Sequence, residues 1–306
     1  MDLKQLEYIV KIAEEGNITK AAEKLFISQP ALNQQLLKLE NDLGTNLFNR
    51  NKNNLTLTYE GEIYIENAYK ILDIKKDAYK MISDVSNSNK GKFSVGFTPE
   101  RGCNIFSYIY PKFHEKYPNI SINPIEDRSK ALEALVSKGN IDLAFTSLSN
   151  IDYTSNSKIH LLEEELVLII SKNNPISKDL SLLCNEENYI DISLLKSQNF
   201  IIPKQNSTLR QIIDDTLIKL NFTPNILLES SNTYTIANMV KNNLGYSIVP
   251  LYYAKNTSNL LYFKLISNPS WHMFASYKKD SYLSNSMKYL IKLTKEYLSN
   301  AYYISI

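Results

Sequence analysis

The sequence predicts an α+β multidomain chain: a small helical N-terminal unit with a β-hairpin, one long helix, and a larger C-terminal α/β domain. Three observations predict it. Apolar residues recur at helical spacing through residues 3–43, a heptad-like row runs through 59–86, and from Phe93 onward short β-prone runs alternate with helical ones.

Leu3, Leu6, Ile9, Val10, Ile12 and Ala13 carry the first helix, which Gly16-Asn17 stops. Thr19 reads as the N-cap of a short second helix over 20–25, and Phe26-Ile27 makes a turn. Ser28 caps a third helix with Gln29 and Pro30 in its first turn, where a missing N–H costs no hydrogen bond. That helix buries Leu32, Leu36 and Leu39 and ends near Gly44. Two helices joined by a short turn form a helix-turn-helix. The runs Leu47-Phe48-Asn49-Arg50 and Leu55-Thr56-Leu57-Thr58 flank the polar tip Asn51-Lys52-Asn53-Asn54 and read as a hairpin, the wing.

Thr58 caps a long helix over 59–86. Along it Tyr64, Ala68, Ile71, Lys75, Ala78, Ile82 and Val85 fall at alternating four- and three-residue steps, a coiled-coil seam with one lysine. Tyr64, Ala68, Ile71, Ala78 and Ile82 are the expected dimer contacts. A polar hinge follows over 86–91. The expected division is a winged helix-turn-helix over 1–58, a linker helix and hinge over 59–90, and an α/β domain over 91–306. In the last, strands are expected at 93–97, 120–125, 141–145, 166–170, 200–202, 226–228, 246–249, 260–265 and 272–277. Helices lie between them and a closing helix spans 283–298. This alternation argues for mainly parallel sheets.

Composition excludes several classes. Cys103 and Cys184 form no CxxC, and His114, His160 and His272 lack zinc-ligand spacing, so neither a metal site nor a cofactor is expected. The longest strongly apolar run, 166–170, is far short of the ~20 residues of a membrane-spanning helix. Asp2 and Glu7 and the lack of a signal-peptide apolar region point to a cytoplasmic protein without a membrane partner. No phosphate-binding glycine loop, GxSxG elbow or histidine-centred constellation appears, so no enzyme is expected. Net charge is +2, and residues 1–60 hold seven basic and eight acidic side chains. A nucleic-acid reading therefore rests on motif, not on basic excess.

The segment 21–32 (AAEKLFISQPAL) with 39–50 (LENDLGTNLFNR) closely resembles the N-terminal domain of LysR-type transcriptional regulators. Gly91-Lys92-Phe93-Ser94-Val95-Gly96, the Phe113 to Tyr117-Pro118 stretch, Gly139-Asn140-Ile141-Asp142-Leu143-Ala144 and Leu244-Gly245-Tyr246-Ser247-Ile248-Val249-Pro250 are similar to landmarks of that family's effector domain. The resemblance implies two α/β lobes like those of type 2 periplasmic binding proteins, with an effector cleft between them. Lobe I would span about 91–170 and 267–306, and lobe II about 171–266. It also implies a sequence-specific regulator of transcription that binds double-stranded DNA. Such a protein dimerises through the long helix and assembles into tetramers, with RNA polymerase a candidate partner. The chain departs from many members in having Gln34 and Leu37 where basic residues stand. Lys38 is then the sole basic side chain from Gln29 to Glu40.

On that frame Gln29, Pro30, Asn33 and Gln34 lie on the part of the third helix that enters the major groove, where Asn and Gln can meet an adenine edge. Arg50 would enter the minor groove or pair with phosphate, and Lys52 at the wing tip would meet phosphate. Thr19, Ser28 and Lys38 complete the expected DNA-facing set. The competing reading is a solvated polar helix face.

Ligands of α/β folds bind beyond the carboxyl ends of strands, and helix N-termini there attract anions. Thr98, Pro99, Thr146, Ser147, Gln205, Asn206, Ser207 and Ser231 occupy such positions. Together they would suit a small polar or anionic metabolite, while each alone could be a plain helix cap. Arg101 and Arg128 are candidate anion partners, with a plain surface position as the other reading. Cys103 reads as a small apolar filler. A small-molecule binding protein without a transcriptional role is the alternative that the C-terminal half alone would allow.

Overall fold

The computed structural model describes residues 2–50, 55–86, 90–149, 156–177 and 188–303. The chain forms two units, Met1–Ser88 and Asn89–Ile306.

In the first unit α1 (Leu3–Glu15), α2 (Ile18–Leu25) and α3 (Gln29–Leu43) precede a hairpin of β1 (Phe48–Arg50) and β2 (Leu55–Leu57), then α4 (Tyr59–Val85). Gly16 and Gly44 end α1 and α3 at φ 57° and 70°, the left-handed conformation that glycine adopts without steric cost. The expected Thr19 cap is corrected. Asn17 is the N-cap of α2, its Oδ1 accepting the Lys20 N–H at 3.0 Å, and Thr19 stands inside the first turn. Asn17 competes better because its side-chain amide reaches the third N–H of the helix. The core joins Leu6, Ile9 and Ile12 of α1 to Ala21 and Ala22 of α2 and to Leu32, Leu36 and Leu39 of α3. Ile65 and Ala68 of α4 close it. A Cβ on Gly61 would lie 2.0 Å from the Leu47 carbonyl oxygen, so only glycine lets α4 start against the root of the wing.

This packing moves the expected boundary. The long helix is part of the N-terminal unit, because its first half completes that core.

The second unit has two lobes. In lobe I the strand order is β4 (Ile120–Glu126), β3 (Gly91–Phe97), β5 (Leu143–Leu148), β12 (Ser270–Lys278), then the first half of β6 (Asn156–Ser171). Leu143 and Phe145 face the core shared with α5 (Arg101–Lys116) and the closing helix α10 (Asn285–Tyr303), whereas Ala144 faces α6 (Ser129–Ser137). In lobe II the second half of β6 pairs with β10 (Ser247–Pro250) and β11 (Leu260–Leu265), and β11 pairs with β7 (Tyr189–Ile190). β8 (Asn199–Pro203) and β9 (Asn225–Ser230) pair with each other, and an isolated Phe200–Tyr246 bridge ties β8 to the residue just before β10. Leu166, Leu168 and Ile170 pack toward α7 (Thr208–Lys219). Val167 and Ile169 pack toward α8 (Thr233–Lys241) and the short α9 (Leu251–Lys255).

Two expectations change. The sheets are mixed: β3 runs parallel to β4 and β5, but β12 is antiparallel to β5 and β6, and β10 and β11 are antiparallel to β6. The first crossing also lies earlier than Ser171. Residues up to Glu165 pair with β12 and those from Leu166 with lobe II strands, so one 16-residue strand passes straight between the lobes. The return runs through 266–269.

Candidate DNA-reading helix and effector cleft

Ser28 caps α3 with its Oγ accepting the Ala31 N–H at 3.4 Å, which fixes where the third helix begins. Gln29, Pro30, Gln34 and Lys38 are exposed along it, Asn33 is half-buried, and Thr19 is exposed on α2. Leu32, Leu36 and Leu39 hold the opposite face, so the polar face is fixed in direction rather than free to roll. Glu40 is buried at the end of α3. Its Oε1 accepts the Leu47 N–H at 2.8 Å and the Phe48 N–H at 3.3 Å, tying the wing to the third helix. Arg50 pairs with Leu55 at the top of the hairpin, and Lys52 lies outside the described residues. Phe26, absent from the expected set, ends α2 in a left-handed conformation and is 94% exposed between the two helices. A large apolar side chain directly after Leu25, which already packs against the core, was the available signal.

The expected dimer seam is corrected in its first half. Ala68 is 1% exposed in the unit's own core, and Tyr64 and Ile71 pack against that core. Lys75 reaches Glu7 of α1 at 2.8 Å. The apolar stripe left uncovered is Ile74, Ala78, Met81, Ile82 and Val85, which share one face by their three- and four-residue spacing. Ala78 and Ile82 of the expected set belong to it.

Between the two lobes lies a cavity of about 580 Å³. Thr98, Pro99 and Ser147 of lobe I line it, with Asn206, Ser207 and Ser231 of lobe II. Thr146 and Gln205 do not, and both are corrections. Successive strand residues point to opposite faces, so with Ser147 turned to the cavity Thr146 must face away. It is buried with its Oγ1 donating to Glu133 of α6 at 2.7 Å. Gln205 is exposed beyond the lining; Asn206, at φ 67°, turns the chain so that it and Ser207 take the lining positions. Ser207 also caps α7, accepting the Arg210 N–H at 3.1 Å.

The N-termini of α5, α6, α7 and α8 all border the cavity, two from each lobe. Each leaves N–H groups and a partial positive charge there. Arg128, Lys130 and Lys204 add cationic side chains, and Glu100 and Asp127 are the acids. Glu100 accepts the Thr233 N–H at 3.1 Å across the cleft. Burial pushes its carboxyl above the usual range, while backbone bonds from Thr233 and Tyr234 pull it back.

Arg101 is no surface residue. It is buried and pairs through Nη1 with Glu164, and its guanidinium lies 4.3 Å from the Tyr252 ring centre. Glu164, wholly buried at the crossing in β6, also accepts Trp271 Nε1–H and the Tyr252 backbone N–H, each at 2.8 Å. This cluster joins the lobes, and its Arg101 and Trp271 line the cavity. Burial foremost, then a hydrogen bond with Glu126, pushes the Cys103 thiol up to about 11, the behaviour of a filler rather than a nucleophile.

The family model for bacterial regulatory helix-turn-helix proteins of the lysR family matches residues 3–62, and that for the LysR substrate binding domain matches 86–299. The chain belongs to the LysR family of transcriptional regulators. The HTH-type transcriptional regulator YcgK of Bacillus subtilis is 29% identical, covering 99% of this chain and 96% of the relative. A probable RuBisCO transcriptional regulator of Trieres chinensis is 30% identical over 81% of this chain and 80% of the relative. A full-length point variant of OxyR from Pseudomonas aeruginosa is 22% identical, covers 97% of this chain and 94% of that chain, and superposes with a TM-score of 0.69, a likeness of fold. With a matched helix-turn-helix in place, the binding-only alternative is set aside. No described helix is long and apolar enough to cross a membrane.

Proposed function

We propose that this LysR-family regulator reads double-stranded DNA with the exposed face of α3 and is gated by a small acidic metabolite held in the cleft between its two lobes. One observation carries the effector class. Helix N-termini from both lobes border one cavity that also holds Arg128, Lys130 and Lys204. A carboxylate or phosphate bonded to N–H groups of both lobes favours their closed arrangement by its differential affinity. Thr98, Ser147, Asn206 and Ser207 supply the neutral contacts that select among acids. The regulator acts as a dimer through the uncovered stripe of α4, assembles further into a tetramer, and has RNA polymerase as its partner in activation.

The test is fluorescence anisotropy of the full-length protein on DNA taken from beside its own gene, with and without a panel of small carboxylates and phosphates. An acid should shift the binding curve or alter the protection pattern on the DNA. A panel that changes neither, on DNA that the protein binds tightly, refutes gating by an acidic effector.

A further inference from the structure

Glu100 stands at the N-cap position of α5, yet its side chain makes no cap bond to that helix. Its carboxylate crosses the cleft instead, accepting the Thr233 N–H at 3.1 and 3.3 Å through its two oxygens. The backbone at Glu100 has φ 65° and ψ −94°, a conformation that residues with a Cβ seldom adopt. Strain of this kind persists where surrounding bonds over-determine it.

The first turn of α8 is then largely accounted for. Asn232 Oδ1 accepts the Thr235 N–H at 2.7 Å, the Asn232 carbonyl accepts the Ile236 N–H, and Glu100 takes the leading N–H, that of Thr233. A helix N-terminus has only these few donors to offer. An effector carboxylate arriving at α8 would meet a carboxylate already in place. The α6 end differs: Arg128 at its N-cap gives no side-chain cap, Asp127 Oδ1 takes only the Arg128 N–H at 2.7 Å, and Arg128 and Lys130 border the cavity beside it.

We propose that Glu100 is an internal stand-in for an effector's acidic group: it fills the anion position at α8, latches lobe II to lobe I without ligand, and directs the effector's acid to the α6 end of the cleft. The last clause rests on the effector reading above; the latch does not.

Hydrogen exchange of the full-length protein, followed by mass spectrometry on peptides covering 230–237, reads the latch directly. In Glu100→Ala the amide of Thr233 should exchange several-fold faster, while peptides from α7 stay unchanged. Millimolar acetate should restore much of the protection in the variant, by filling the emptied anion position, and should do nothing at this peptide in the parent protein. Chloride at equal ionic strength is the control. Glu100→Gln keeps one acceptor oxygen and should be intermediate, and it serves if the alanine variant does not fold. Unchanged exchange in both variants overturns the latch. Lost protection that acetate does not restore overturns the anion position. Anisotropy on DNA, run on the same samples, separates the two readings. If no acid alters DNA binding while exchange behaves as expected, the latch stands and the effector reading falls.

Discussion

Replacing Glu164 by glutamine removes the one charge on which Arg101 Nη1, Trp271 Nε1 and the Tyr252 N–H converge. The side chain keeps its size, so the packing loss is small and the electrostatic loss dominates. Breaking a buried ion pair by neutralising one partner costs about 3–5 kcal/mol, because the other charge stays buried. For a domain of this size each kcal/mol lowers Tm by roughly 2–4 °C, so the effector-domain transition should fall by roughly 6–20 °C. Calorimetry of the full-length protein resolves that transition and leaves the winged-helix transition, which shares none of these residues, in place. A second variant separates charge from packing. Arg101→Met with Glu164→Gln removes both charges, so neither is left buried without its partner. The double variant should therefore recover most of the lost stability. A single variant melting within about 2 °C of the parent, or a double variant no better than the single, would refute the idea that this pair holds the lobes together.

Four further outcomes follow from the packing. Ile82→Asp should weaken dimerisation in sedimentation while leaving each monomer folded, whereas Ala68→Asp should unfold the N-terminal unit, because only the first site is uncovered. Lys38→Ala should flatten the slope of log K against log salt by about 0.9 if it meets one phosphate, and Gln34→Ala should change sequence preference without changing the slope. Thr98→Val and Ser147→Ala should weaken the DNA response to effector several-fold, and Gln205→Ala should not, as judged by anisotropy titrations. Because the Cys103 thiol is raised to about 11, ionising it is harder in the folded chain. Its contribution to stability is intact below the ordinary thiol pKa and is lost as pH rises toward 11. Iodoacetamide at about pH 8, near the ordinary thiol pKa, should therefore label Cys103 far more slowly than in urea, read by peptide mass spectrometry.

Much of the N-terminal unit was legible because its determinants are local. Ser28, Pro30 and Thr58 announce helix starts, Gly16 and Gly44 announce ends, and leucines at three- and four-residue steps announce the buried face. The Thr19 error was also local: two capping residues stood two positions apart, and the one with the longer side-chain amide reached its N–H. The seam on α4 failed for a different reason. Heptad spacing reports that a face is apolar, not which surface covers it, and here α1 and the wing strand β2 cover the first half before any partner can. The first half of β6 was missed because its partner β12 lies more than 100 residues away, and no local pattern records such pairing.

The cleft was partly legible by a rule and misread where a second rule applied. Loops after strands were the right places to look, and Thr98, Ser147, Asn206, Ser207 and Ser231 do border one cavity. Strand alternation should have excluded Thr146 at once, since it and Ser147 are neighbours in β5 and cannot face the same way. Glu100 and Glu164 were beyond such rules. Each acts on residues in the other lobe, Thr233 and Tyr252, and nothing in the sequence near either glutamate names its partner. Yet these two carboxylates set the charge that an effector encounters. Glu164 neutralises Arg101, Glu100 occupies α8, and the positive field that remains comes from Arg128 and Lys130 at the α6 end and Lys204 before α7. Of the four helix N-termini around the cleft, the one at α8 is thereby closed to an effector's acid, which is a physical basis for expecting selectivity among acids rather than general anion binding.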